Sequence, residues 1–332
     1  MAKLSLKSSA EPLPGRSSSK SPTTSETIKP IIILFGPTAV GKTAILSRFD
    51  SSRYSVINAD SIQVYKDLDI GSAKATAEER AAIEHHLIDI READQSFSVG
   101  DFIQAADEAV ALIHSRNKIP IISGGTAFYV KHFLYGLSEA PSSDEEVRAR
   151  VGALIEEKGL VWAHKRLKEV DPVSADRIHP NDTYRISRAL EVYEQSGKPL
   201  SFFDLPSEPR IVNPVLIIGL ERERQDLLDR LKRRIAQMES DGLVEEIRSL
   251  FRQGARSTWP SMAGIGYREF FELAESGEYS VQSVLRRIER NTKLYTKRQM
   301  TFFRSFATAE WFDADDVPSI IERVEAFVRS EG

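Results

Sequence analysis

Residues 36–43 read Gly36-Pro37-Thr38-Ala39-Val40-Gly41-Lys42-Thr43, which matches the phosphate-binding loop G-x-x-x-x-G-K-[ST] at every position. The loop constrains the fold at once, because it works only between a strand and the start of a helix. Ile31-Ile32-Ile33-Leu34-Phe35 ahead of it is apolar and β-branched and reads as a buried strand. Ala44–Phe49 behind it can open a helix. Gly36 and Gly41 allow a tight backbone whose N–H groups point inward. The positive end of the helix dipole then faces the bound anion. Lys42 is expected to neutralise phosphate oxygens, and the Thr43 hydroxyl to hold Mg²⁺. The pattern implies a bound polyphosphate without saying which one.

The chain of 332 residues is long enough for one large domain or two ordinary ones. Its net charge of −4 excludes a basic coat over the whole surface but leaves room for local basic patches. With no cysteine, disulfides, thiolate metal sites and a cysteine nucleophile are all excluded. This suits a reducing cytosol, and a cytoplasmic location is expected. No apolar run approaches a membrane span. Residues 1–30 are rich in Ser, Thr and Pro and cannot bury enough surface to fold, so a disordered tail is expected. Glu11, Glu26 and scattered prolines argue against a targeting helix there.

Beyond the tail, short apolar runs alternate with helical stretches. Strands are expected over Ile31–Phe35, Tyr54–Asn58, Leu87–Ile90, Ile119–Ser123 and Val215–Leu220, with a helix over Val99–Arg116. This alternation predicts an α/β fold, a P-loop-type parallel sheet covered by helices. Residues 142–201 break the rhythm: they are charged and helical, and read as an all-helical insertion domain. The core is then split into a first part, 31–141, and a second part, 202–332, which is mostly helical after Glu221.

Three further features carry chemistry. The second strand ends in Asn58-Ala59-Asp60-Ser61, and strand carboxyl ends line the ligand crevice of an open parallel sheet. Asp60 is either a turn or cap residue or an acid/base carboxylate beside the loop. Gly124-Gly125-Thr126 after the fourth strand is either an ordinary capped turn or a place where backbone approaches a ligand. Arg230 and Arg234, four apart on one helix, could grip a diphosphate or form a solvated face. Separately, Leu285–Arg304 holds seven Lys/Arg against the single acid Glu289. Arg286, Arg290, Lys293, Lys297 and Arg304 fall on one helical stripe, an electrostatic footprint for nucleic acid. Ile288, Thr292, Tyr295, Gln299 and Phe302 form another stripe.

Taken in order, these blocks resemble the tRNA dimethylallyltransferase family of bacterial type, also called tRNA isopentenyltransferase. The matching blocks are residues 36–43, Asn-Ala-Asp-Ser-Ile-Gln-Val-Tyr-Lys at 58–66, Asp-Ile-Gly-Ser-Ala-Lys at 69–74 and His-His-Leu-Ile-Asp at 85–89. They continue with Gly-Gly-Thr at 124–126, Ile-His-Pro-Asn-Asp at 178–182 and Arg-Ala-Leu-Glu-Val-Tyr at 188–193. Gly-Ile-Gly-Tyr-Arg-Glu at 264–269 and Lys-Arg-Gln at 297–299 complete the series.

The resemblance implies transfer of a dimethylallyl group from dimethylallyl diphosphate to N6 of the adenosine 3′ of the anticodon, position 37 of tRNA, with Mg²⁺ as cofactor. It implies that residues 36–43 bind the diphosphate, that Asp60 is the general base, and that Thr126 and Arg230 join it in catalysis. The segments matching tRNA contacts are Asp60, Ser61, Ile62 and Gln63; Tyr184, Arg185, Ile186, Ser187 and Arg188; and Ala263, Gly264, Ile265, Gly266, Tyr267 and Arg268. The stripe adds Arg290, Lys293 and Lys297. The partners implied are the tRNA anticodon stem-loop and dimethylallyl diphosphate, with no membrane, and a monomer is expected. Ala127-Phe128 departs from the family pattern of a small residue then Leu. The alternatives are a P-loop small-molecule kinase, a prenyltransferase acting on free adenylates, or an RNA-binding module that uses its nucleotide as a switch.

Overall fold

The computed structural model describes residues 29–331 except residue 278. The expected tail lies outside the described residues, apart from Lys29 and Pro30. Lys29 is tied down: its Nζ donates to His114 O at 2.6 Å, and its carbonyl accepts from Asn213 Nδ2 at 2.8 Å.

Six strands form one sheet: β1 Ile31–Phe35, β2 Tyr54–Asn58, β3 His85–His86, β4 Ile119–Gly124, β5 Val215–Glu221 and β6 Glu310–Asp313. Their order is β3-β2-β4-β1-β5-β6, and every neighbouring pair is parallel. All residues of β1 and β2 are buried, as strands must be when helices cover both faces. Between the strands run α1 Lys42–Leu46, α2 Ala77–Ala82, α3 Val99–Ser115 and α4 Ala127–Tyr135. After β4 and α4 come α5 Glu145–Lys158, α6 Leu160–Val170, α7 Pro172–Arg177 and α8 Thr183–Ser196, packed around an apolar cluster of their own that includes Val151, Leu167 and Ile186. The chain then returns through β5 to α9 Arg224–Ser240, α10 Leu243–Arg252, α11 Arg268–Glu275, α12 Val281–Phe303, β6 and α13 Val317–Glu331.

The parallel α/β architecture and four of the five expected strands match the sequence reading. The expected strand over Leu87–Ile90 does not form; the pairing there is His85–His86 with Val56–Ile57. Leu87 and Asp89 sit at φ 62° and 56°, a left-handed conformation that ends the strand. Asp89 is turned back onto Arg80, at 2.8 Å, and onto the buried Lys74. Strand β6 was not legible. It is four residues long, half polar and only half-buried at the sheet edge.

Two apolar layers sandwich the sheet. One gathers Phe102, Phe133 and Phe303 onto Phe35, whose ring stacks on Phe303 at 4.2 Å. The other packs Ile45, Ile320 and Val324 onto Leu34 and Ile218. A third cluster ties α9–α12 to Val64, Tyr65 and Leu68.

The carboxyl ends of β2 and β4 are pressed together. A Cβ on Gly124 would lie 2.1 Å from Ala59 O, so only glycine fits. The Ala59 amide donates to Ser123 O at 2.8 Å, and Thr126 N donates to Ala59 O at 3.1 Å. Gly124→Ala is therefore expected to cost about 1–3 kcal/mol through overpacking against rigid backbone. Thermal unfolding would show it as a lowered Tm, and an unchanged Tm would contradict this account of the strand ends.

Candidate active site

Asp60 leaves β2 at its carboxyl end. Its Oδ1 accepts from the amides of Ile62 at 2.9 Å and Gln63 at 3.4 Å. The turn reading is met by Oδ1, which caps the turn, while Oδ2 is turned toward Gly125, where a Cβ would be 3.7 Å away. Thr126 is brought to the same place from β4. Its Oγ1 accepts from Ser61 N at 3.0 Å. From α12, Tyr295 Oη donates to Gly125 O at 3.4 Å. Burial, followed by the nearby Asp60 charge, pushes the Tyr295 hydroxyl up to about 12, so it remains a donor at neutral pH.

The phosphate loop turns at Gly41, with φ 116°, into α1. Lys42 Nζ donates to Gly36 O at 2.9 Å and Pro37 O at 3.0 Å. Gln299, buried on α12, accepts from Thr38 N at 3.0 Å and donates from Nε2 to Gly125 O at 2.8 Å. Burial, reinforced by the Arg234 charge and opposed by Asp60, brings the Lys42 ammonium down to about 8. The Arg234 guanidinium is likewise lowered by burial. Two desolvated cations face one space with Asp60 and Glu79 as the nearby acids, and the inward loop amides add to their pull on an anionic ligand.

Two cavities meet here. The smaller, about 290 Å³, is lined by the loop residues Lys42 and Thr43 together with Glu79, Ser123 and Gly125. The larger, about 650 Å³, is lined by Ser61, Ile62, Phe97, Ile265, Arg268 and Tyr295. They share Thr38, Asp60 and Arg234. The charge of the first suits an anion, and Asp60 stands in the wall between the two.

Thr43 lines the smaller cavity alongside Asp60 and Glu79. Among the described residues no group of three or more His, Asp or Glu could hold a metal by itself. The donor set instead fits Mg²⁺ held by one hydroxyl, water and substrate oxygens.

The structure sorts the sequence-predicted residues. It brings together Asp60, Thr126 and, from the loop, Thr38, Ala39, Gly41, Lys42 and Thr43, with Ser61, Ile62, Ala263, Gly264, Ile265 and Arg268 on the wall of the larger cavity; Gly36 and Pro37 are buried behind the loop, and Val40 lies in the apolar core. Gln63 faces the smaller cavity, and its Nε2 donates to Ser72 O at 3.2 Å and Ala73 O at 3.1 Å. Arg230 is not brought in. It pairs with Asp226 at 3.2 Å and Asp315 at 3.8 Å, whereas Arg234, one turn on, lines both cavities. Gly266 and Tyr267 support the wall: Tyr267 is fully buried, donates to Glu246 at 2.8 Å and accepts from Ser72 N at 3.1 Å.

In the 184–188 block, Tyr184 is 80% exposed and Arg185 is exposed, while Ile186 is buried in the α5–α8 cluster. Ser187 donates to Glu191 at 3.0 Å, and Arg188 pairs with the same carboxylate at 3.7 Å. On α12, Arg286, Arg290 and Lys297 are exposed. Lys293 is held by Glu289, and Arg304 by Glu221 and the Trp311 ring. Sequence reasoning placed Tyr295 and Gln299 on a stripe without seeing that this stripe lines the crevice. It also missed Asn291 and Arg298, which line the larger cavity. The signal was present: the stripe mixes polar residues into a face that should be apolar.

A family model described as IPP transferase matches residues 63–306. The chain is 41% identical to the tRNA dimethylallyltransferase of Borreliella afzelii (strain PKo) over 295 residues, covering 88% of this chain and 98% of that protein. It is 38% identical to the enzyme of that name from Geobacillus thermodenitrificans (strain NG80-2), covering 90% and 95%. Among solved structures it is similar to the full-length tRNA isopentenylpyrophosphate transferase of Bacillus halodurans, with a TM-score of 0.65 and 34% identity over 92% of this chain and 98% of that one. It is also similar to a eukaryotic dimethylallyltransferase acting on tRNA, with a TM-score of 0.71 and 26% identity over 87% of this chain and 75% of that one. The chain belongs to the IPP transferase family, that of the tRNA dimethylallyltransferases.

Proposed function

We propose that this protein transfers the dimethylallyl group of dimethylallyl diphosphate to N6 of adenosine 37 in tRNA, releasing diphosphate. The observation that carries this reading is Asp60, set in the wall between an anion cavity and a larger cavity. The C1–O bond of the prenyl diphosphate breaks, a C1–N6 bond forms, and the N6 proton passes to Asp60 Oδ2. The adenine amine is a poor nucleophile, and a carboxylate within reach orients it and removes its proton. Thr126 holds the 60–61 turn through Ser61 N.

Lys42, Arg234 and the loop amides offset the charge that grows on the leaving diphosphate. Arg230 would act behind them, through Asp226 and Asp315, which also hold Arg222 beside the loop at Val40 O. The magnesium ion expected at Thr43 supplies, when bound, further charge neutralisation at the diphosphate oxygens. The adenosine must leave its stack to reach the larger cavity. We read 142–201 as a separate helical domain and α12 as the RNA-facing helix, and we place the reaction in the cytoplasm.

Incubation with tRNA and dimethylallyl diphosphate, followed by mass spectrometry of the nucleosides, tests the reading. Asp60→Asn keeps the turn-capping oxygen and removes the base. It is expected to slow single-turnover transfer by roughly 10²–10⁴ with RNA affinity nearly unchanged. A normal rate would take Asp60 out of the mechanism.

Lys42 gives a pH signature. In the free protein its pKa is about 8, and only the ammonium attracts the diphosphate. As pH rises through about 8 the charge is lost, so kcat/KM for the prenyl diphosphate should fall. Binding an anion raises the Lys42 pKa, so the limb in kcat lies higher. Lys42→Arg should remove the limb near 8, and a limb that survives in that variant would assign it to another group.

The α12 stripe should supply salt-dependent affinity without base choice. Arg290→Ala with Lys297→Ala is expected to flatten the slope of log K against log salt by roughly 0.7–0.9 per contact. An unchanged slope would make the stripe an ordinary solvated face.

A further inference from the structure

Glu269, at the start of α11, is fully buried. A buried carboxylate must be compensated, and here three donors converge on it: Gly266 N at 2.9 Å, Asn291 Nδ2 at 2.7 Å and Arg268 Nε at 3.3 Å. Arg268 and Asn291 both line the larger cavity. A carboxylate only accepts, so it settles which end of the Asn291 amide faces it: Nδ2 is turned to Glu269, leaving Oδ1 as the acceptor for a ligand. Arg268, with Nε on Glu269, keeps the outer nitrogens of its guanidinium as donors.

The location is as specific as the chemistry. Gln299 touches the phosphate loop, Tyr295 touches Gly125, and Asn291 touches Glu269, at successive intervals of four residues along α12. One face of the helix therefore runs from the phosphate loop, past Gly125, to Glu269 beside the larger cavity, about one turn per step.

We propose that Arg268 and Asn291, held by Glu269, form a base-reading subsite that takes the amino edge of an adenine or a cytosine. This rests on the RNA substrate assigned above. Those two bases place an exocyclic amine beside a ring-nitrogen acceptor, matching Asn291 Oδ1 and the Arg268 donors. Guanine and uracil place a carbonyl oxygen where the amine would be, setting two acceptors face to face. Glu269 is a positioning residue that acts through the other two. The base read is either the target adenosine or a nucleotide beside it.

The test uses a panel of anticodon stem-loop RNAs in which the target and each neighbouring nucleotide are exchanged one at a time between amino and oxo forms, adenine for hypoxanthine and cytosine for uracil. Affinity is measured for every RNA, and single-turnover transfer for those that retain the target amine. Wild type is expected to discriminate on the order of 10- to 100-fold at one position, which identifies the base that is read. Asn291→Ala and Arg268→Ala should remove that preference at that position alone. Glu269→Gln should keep most of the affinity and lose discrimination, because a glutamine amide pairs with either orientation of Asn291.

Undiminished discrimination in Asn291→Ala, or a loss spread evenly over all positions, overturns the subsite. Asn291 lies at the cavity surface, so this variant carries the test even if Glu269→Gln fails to fold. A wild type that prenylates RNA while Asn291→Ala behaves identically overturns the subsite alone. A wild type inert toward every RNA overturns the assigned function and the subsite with it.

Discussion

Gln299 commits both ends of one buried amide to backbone, with Oε1 on the Thr38 amide and Nε2 on Gly125 O. Those two contacts join the phosphate loop after β1, the glycine turn after β4, and α12. The glycine turn in turn carries Thr126, whose hydroxyl fixes the 60–61 turn after β2. Three strand ends and one long helix are thereby held in a single register. The space is tight enough that a Cβ on Gly125 would meet Gln299 Nε2 at 2.6 Å. An amide suits this position because it donates and accepts at once; a carboxylate or an ammonium would leave one backbone group unpaired in a buried place.

Electrostatics follow from that frame. Lys42 and Arg234 are half-buried on the loop side and share Asp60 as an opposing charge. Their positive charge is costly to hold in a desolvated space and is relieved by an incoming anion, which gives the smaller cavity its ligand class. Arg222 and Arg230 differ: Asp226 and Asp315 already neutralise them, and Arg222 alone of the two reaches the loop, at Val40 O. On α9, four residues separate an arginine that faces carboxylates from one that faces the site.

Much of this was legible because it is local. The loop spells its own geometry, β1 announces burial on both faces, and Asp60 and Thr126 follow from the rule that ligands sit at strand carboxyl ends. What was not legible depends on distant partners. Nothing near Leu87 shows that Asp89 will turn back to Lys74 and Arg80 and end the strand. β6 is a strand because Ile218–Glu221 lies beside it, not because Glu-Trp-Phe-Asp asks to be one. The i, i+4 spacing placed Arg230 and Arg234 on one side of α9, but the acids that claim Arg230 include one from the loop before α13. Likewise Ile186, in a block that resembles an RNA contact, is drawn into the α5–α8 cluster by its apolar face.

Helix α12 carries two chemically different faces. Its outward side carries Arg286, Arg290 and Lys297 in solvent, suited to a phosphate backbone. Its inward side carries Asn291, Tyr295 and Gln299 along the crevice, and Ile288 and Phe303 anchor it in two different apolar clusters. It is tied through Gln299 to Thr38 and through Tyr295 to Gly125 beside Asp60. The basic face and the wall of the anion site are therefore carried by one element of the fold.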